Sequence, residues 1–145
     1  MKSAPDRCLH VVLAYIERNG SVLITRRPAG VHLAGYWEFP GGKVQTDESF
    51  STALRRELCE EIGVTIAVNG EIATTRFHYP DRTVELHLFR CAIVHGEPEL
   101  LQVAEIRWIP VDELGEYTFP PANVALLDVI SESTAKRGRP SCQKE

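Results

Sequence analysis

The chain has 145 residues, 43% of them apolar and 25% charged, and a formal charge of −4. That size suits one domain with its own core, predicted over 1–135, with a polar, disordered tail over 136–145. A mildly acidic chain without a basic block is a poor partner for long nucleic acid, which is bound through many phosphate contacts.

From the N-terminus, Met1 to Arg7 is short, polar and expected to fray. Leu9 to Ile16 is a close succession of apolar residues and predicts a buried strand. It is too short for a signal peptide or membrane span before the charged Glu17-Arg18, so no membrane partner is expected. Asn19-Gly20 predicts a hairpin turn, with Val22 to Thr25 as the returning strand. Arg26 and Arg27 close it. A guanidinium there suits phosphate, and for Arg27 phosphate and open solvent stand as equal alternatives. Pro28 to Gly35 is a loop. Trp37-Glu38-Phe39 is a short aromatic strand that delivers the chain to Pro40-Gly41-Gly42, where paired glycines let the backbone approach a ligand or metal.

The segment from about Ser49 to Ile62 has no Gly or Pro and is rich in Ala, Leu, Arg and Glu, so it predicts a helix. Phe50, Leu54, Leu58 and Ile62 form an apolar stripe along it. Glu57, Glu60 and Glu61 share another face, and Gly63 ends the helix. Three carboxylates near a helix C-terminus repel one another and the helix dipole. A hard divalent cation, whose preferred ligands are carboxylate oxygens, relieves that cost. A solvated charged face is the bland alternative for this fragment alone.

Beyond the helix, Thr65 to Val68 predicts a short strand and Asn69-Gly70 a turn. Glu71 to His78 and Thr83 to Val94 predict paired strands joined at Tyr79-Pro80-Asp81-Arg82, with Val84, Leu86 and Leu88 alternating against Glu85, His87 and Phe89. His95 to Val103 is a loop, Glu105 to Pro110 a strand and Val111 to Leu114 a helical turn. Asn123 to about Ser133 predicts a closing helix with Ala125, Leu126, Val129 and Ile130 inward. The pattern is an α+β layered domain. Cys8, Cys59, Cys91 and Cys142 are scattered, without a Cys-x-x-Cys pair or a histidine spacing that completes a zinc site. A reduced, cytoplasmic setting is expected. The histidines are separated along the chain and read as structural or exposed residues rather than ligands.

Gly42, Glu48, Arg56-Glu57-Leu58, Glu60-Glu61 and Gly63-Val64 stand at the spacing of the Nudix box, matched at all nine defined positions. The chain resembles the Nudix hydrolases, and more narrowly the MutT-like nucleoside triphosphate diphosphatases, from Leu9 to Ile130. The resemblance implies an α/β/α sandwich with a mixed sheet and a loop–helix metal platform. It implies Mg²⁺, with Mn²⁺ as a substitute, held by the Gly41 carbonyl, Glu57 and Glu61, with Glu60 sharing the metal or positioning water. Arg56 and Glu48 would pair to orient the cluster. A small nucleotide is the implied partner, and a monomer or weak dimer is expected. The implied reaction converts a nucleoside triphosphate to a monophosphate and pyrophosphate. Intact box carboxylates stand against a non-catalytic nucleotide-binding module.

Many relatives carry an acidic residue six positions before the tryptophan matching Trp108. Here that residue is Gln102, which cannot accept a proton effectively. Glu57 or Glu60 on the helix, or Glu99 or Glu105 nearby, are the alternatives. Phe119-Pro120-Pro121-Ala122-Asn123 is the second informative stretch. Asn123 is a good helix N-cap, and its amide also offers a donor and an acceptor together to a purine edge. Oxidation to 8-oxoguanine turns N7 from acceptor to donor, so one amide distinguishes the two forms. This stretch, the Asp81-Arg82 turn and Arg27 all resemble the MutT-like subgroup, which implies 8-oxo-dGTP sanitisation of the nucleotide pool. In that subgroup Phe39 would lie near the base, although a phenylalanine there is more often core. CTP, dCTP or broad (d)NTP hydrolysis is the alternative.

Overall fold

The computed structural model describes residues 8–144, with side chains over 8–132. Met1 to Arg7 lies outside the described residues.

Strand β1 (Cys8–Arg18) is the centre of the molecule. Strand alternation sends Val12, Ala14 and Ile16 to one face and Leu13 and Tyr15 to the other, and both faces are buried. Asn19 and Gly20 have φ of 53° and 82°, the left-handed pair that a two-residue hairpin needs. Strand β2 (Ser21–Arg26) follows, but it pairs with β1 only at Glu17–Val22 and Arg18–Ser21. Past that point the two strands part. Strand β2 continues with β3 (Trp37–Glu38) and β7 (Glu105–Pro110). Strand β1 takes β4 (Gly41–Lys43) on one edge and, in parallel, β6 (Arg82–His95) on the other. The outer strand β5 (Thr65–Tyr79) is antiparallel to β6.

Helix α1 (Phe50–Ile62) covers one face. Ser49 caps its start by accepting from Thr52 N–H, and Gly63 ends it at φ 72°. Its Leu54, Leu58 and Ile62 pack on Val12, Ala14 and Ile16. Helix α2 (Pro121–Lys144) covers the other face, with Leu126 and Ile130 packed among Leu13, Tyr15 and Leu88. The result is the predicted α+β sandwich with a mixed sheet.

Two local expectations are corrected. Asn69-Gly70 is not a turn that ends a strand: β5 runs through it with a register shift between Val68 and Glu71, because one glycine at φ 135° absorbs a bulge without breaking the ladder. Helix α2 starts at Pro121, not Asn123, since proline is well suited to the first helical position. The buried side therefore falls on Ala122, Leu126 and Ile130, leaving Ala125 and Val129 exposed. Helix α2 runs on as backbone through 136–144, and Glu145 lies outside the described residues.

Candidate active site

Pairing of β4 with β1 places Gly41 and Gly42 against the glutamate face of α1. Gly41 has φ +152°, and a Cβ there would fall 2.0 Å from the Val12 carbonyl oxygen. A Cβ on Gly42 would fall 2.4 Å from the Glu57 carboxyl carbon. The glycines thus leave room for a carboxylate to lie flat against the backbone. Gly41 N–H donates to Glu61 Oε1 at 3.3 Å.

Arg56 organises the rest. It donates to both Glu48 oxygens at 2.7 and 3.0 Å, to Glu57 at 3.1 Å, to Glu60 at 3.3 Å and to the Lys43 carbonyl at 3.1 Å. Arg56, and secondarily the Gln45 N–H, hold the Glu48 carboxyl below its usual range. Glu60 is half exposed, whereas Glu57 is largely covered.

Glu38 joins this cluster from β3. Burial pushes its carboxyl up to about 7 against the pull of Arg27, and Glu57 adds to the rise. Burial, then Glu38 and then Glu57, push Glu61 up to about 9. Glu38 and Glu61 therefore resist ionising beside one another. A set of crowded, oxygen-only ligands whose common charge lacks a full counter-charge fits a hard divalent cation. Glu38 went unrecognised in the sequence. The available sign was a lone acid between Trp37 and Phe39, both of which enter the core.

Beside the cluster opens a cleft of about 140 Å³ lined by Arg27, Glu38, Lys43, Tyr79, Arg82 and Asn123, among others. Asn123 is only 6% exposed, and its amide has no hydrogen-bond partner among the described residues. It is the third residue of α2, so it is not the N-cap. Arg82 lies over the Tyr79 ring at 5.4 Å, and its buried Nε also lacks a partner. Arg27 is already engaged: it donates to the His32 carbonyl at 2.7 Å and to Glu38 at 3.3 Å. Phe39 and Phe119 pack on each other in the core, with centroids 5.5 Å apart, and neither lines the cleft, because aromatic burial outweighs exposure there. Asp81 is exposed at the tip of the β5–β6 hairpin and does not line the cleft. A larger groove of about 730 Å³ between Val111–Glu116 and α2 is mainly apolar and stands apart from the carboxylates.

The loop before β7 docks on the end of α1, where Leu101 and Gln102 N–H groups donate to the Glu61 carbonyl. Glu105 is tied to Arg26 and Arg107 at 3.2 and 2.9 Å. Glu99 is exposed.

The NUDIX domain model matches residues 11–129. This chain belongs to the Nudix family. As a Nudix hydrolase it acts on phosphoanhydride bonds, and such enzymes generally use divalent metals. It is similar to a CTP pyrophosphohydrolase of Escherichia coli (strain K12), 36% identical over 131 residues, covering 90% of this chain and 97% of that one. It is also similar to an 8-oxo-dGTP diphosphatase of Haemophilus influenzae, 36% identical over 132 residues, covering 89% and 96%. The solution structure of the E. coli ORF135 protein superimposes with a TM-score of 0.81 at 34% identity, covering 92% of this chain and 96% of that one.

The carboxylate cluster gives the metal-free Nudix fold a pH signature. The folded-state values of Glu38 and Glu61 stand above the ordinary 4.5, so their contribution to stability is complete below about pH 4.5. It is lost as pH rises through about 7 for Glu38 and about 9 for Glu61. In EDTA this pair therefore lowers the melting temperature across that window, and a saturating divalent cation reduces the loss. Thermal unfolding at stepped pH checks it, with Glu61→Gln as control. A variant that keeps the wild-type slope would remove Glu61 as its source.

Proposed function

We propose that this protein hydrolyses nucleoside triphosphates to monophosphate and pyrophosphate with Mg²⁺, and that 8-oxo-dGTP is its preferred substrate. The observation that carries the choice of base is the unpartnered Asn123 amide, held in the cleft beside the acidic cluster. One amide donates to an acceptor such as O6 and accepts from N7–H, a hydrogen that only the oxidised purine carries. The buried Arg82 Nε offers a second donor toward base or phosphate.

Gly41, Glu57, Glu60 and Glu61 are the residues that would hold the cation. Bound Mg²⁺, with Mn²⁺ as a substitute, neutralises phosphate charge and lowers the pKa of a coordinated water. Arg56, fixed by Glu48, holds Glu57 and Glu60 in place. Glu57 would be the group that takes the proton of the attacking water. Gln102 cannot, and Glu105 is occupied by two arginines. Lys43 and Arg82 supply positive charge along the cleft. A soluble monomer or weak dimer acting in the cytoplasm completes this reading.

CTP or dCTP hydrolysis is the second reading, favoured by the E. coli relative named for CTP, which matches over 97% of its own length. Pyrophosphate release from 8-oxo-dGTP, dGTP, CTP, dCTP and ATP, with Mg²⁺ and with EDTA, separates the two. A kcat/KM highest for CTP would overturn the base assignment but leave the reaction type standing. Release undiminished by EDTA would overturn the metal assignment. For Asn123→Ala, loss of the paired edge lowers the 8-oxo-dGTP to dGTP ratio of kcat/KM by about 10-fold. An unchanged ratio would show that Asn123 does not read the base.

A further inference from the structure

A second set of ligand-type side chains lies where β1 and β6 run in parallel, at the start of α1 and away from its glutamates. Alternation puts Cys8 and His10 on one face of β1 and Glu85 and His87 on the same face of β6, with His10 opposite Glu85 in register. His10 Nδ1 lies 3.1 Å from His87 Nε2 and 3.3 Å from Glu85 Oε1, and His87 Nε2 lies 3.4 Å from that same oxygen. Three lone-pair donors thus form a nearly equilateral triangle. Tetrahedral zinc with bonds of about 2.0–2.1 Å sets neighbouring N and O ligands about 3.3–3.5 Å apart. Ligand atoms of Cys8, His10 and Glu85 all lie within 4.8 Å of one another, which sets the thiol beside two of these three corners.

The surroundings match a metal centre as well. The far nitrogen of His87, Nδ1, faces Glu71 Oε2 and the Thr74 hydroxyl, each at 3.3 Å. A carboxylate behind an imidazole fixes the tautomer and orientation of a metal-bound histidine. Arg76 holds the second oxygen of Glu85. The Phe50 ring, 4.4 Å from that of His87 and 5.6 Å from that of His10, provides an apolar wall.

We propose that Cys8, His10, Glu85 and His87 form a binding site for Zn²⁺ or a similar borderline divalent ion, separate from the carboxylate cluster of α1. Imidazole and thiolate select such ions over Mg²⁺, whereas an all-oxygen set suits Mg²⁺. One small domain therefore carries two sites of different selectivity, and this assignment does not depend on the substrate.

The test is Zn²⁺ titration of the full chain against a chromophoric chelator in saturating Mg²⁺. One tight equivalent is expected, with a rise in melting temperature that grows with free Zn²⁺. His10→Gln, at a half-exposed position, weakens binding by more than about 100-fold, and Glu71→Gln, which removes only the outer carboxylate, by about 10-fold. Glu57→Gln leaves the equivalent in place. With Co²⁺ in place of Zn²⁺, the visible bands of tetrahedral cobalt appear, and Cys8→Ser removes the thiolate charge-transfer band. No uptake in excess Mg²⁺, or His10→Gln binding as tightly as wild type, would leave the His10–His87 contact as a simple hydrogen bond and overturn the site. Loss of the equivalent in Glu57→Gln would move it to the carboxylate cluster. An unchanged cobalt spectrum in Cys8→Ser would remove the thiol from the ligand set.

Discussion

Glu57→Gln lowers kcat by about 10²–10⁴-fold while the fold stays intact. The change is nearly isosteric, so Leu54, Leu58 and Ile62 still pack on β1 and the helix keeps its place. The lost charge is the point. Glu57 lies against Gly42, accepts from Arg56 and raises the carboxyls of Glu38 and Glu61 by repulsion. Glutamine cannot accept the proton of water, and as a neutral ligand it binds a hard cation weakly. Removing one of three crowded charges also relieves the other two. In EDTA the melting temperature of Glu57→Gln is therefore equal to or above that of wild type, while Mg²⁺ raises it less. Steady-state pyrophosphate release and thermal unfolding read the two effects separately. A variant with more than about a tenth of wild-type kcat would take Glu57 out of the essential set.

Gly42→Ala lowers kcat by about 10²-fold with little change in stability. A misplacement near 1 Å of a reacting group is enough for a loss of that size. The added methyl would stand 2.4–2.6 Å from the Glu57 carboxyl atoms. These form the end of a flexible side chain and can swing away at small cost to folding, and their displacement removes Glu57 from its position beside Gly41 and Glu61. Gly41→Ala provides the contrast. There a Cβ meets the backbone of Val12 and Leu13 at 2.0–2.9 Å, at a φ that side chains rarely adopt. Backbone cannot step aside, so Gly41→Ala lowers the melting temperature and Gly42→Ala does not. Equal losses of stability in the two variants would show that both glycines serve the fold alone.

Much of the site was legible in the chain because it is local. Glu57, Glu60 and Glu61 share a face through helical periodicity whatever else the molecule does. Gly63 stops the helix, Asn19-Gly20 turns the first hairpin, and alternation in β6 assigned Val84, Leu86 and Leu88 to the core correctly. The errors were also local but rested on residues with two uses. Gly70 turns a chain or absorbs a bulge, and the choice depends on the β6 partner strand. Pro121 and Asn123 both suit a helix start; the helix begins two residues earlier than expected, and packing turns Ala125 and Val129 outward.

Sequence by itself determined the acidic helix, its glycine-rich approach and the family to which they belong, because fixed spacing within one element fixes which side chains stand together. Only the tertiary structure decided which distant groups join them. Glu38 acts on Glu61 because β3 joins, through β2, the sheet that α1 covers, and Asn123 reaches the cleft because α2 crosses the opposite face. His10 and His87 are 77 residues apart and touch only because β1 and β6 pair in parallel. Strand pairing is a choice among many registers, settled by burial of the whole core, and it leaves no mark in the spacing of the residues it brings together.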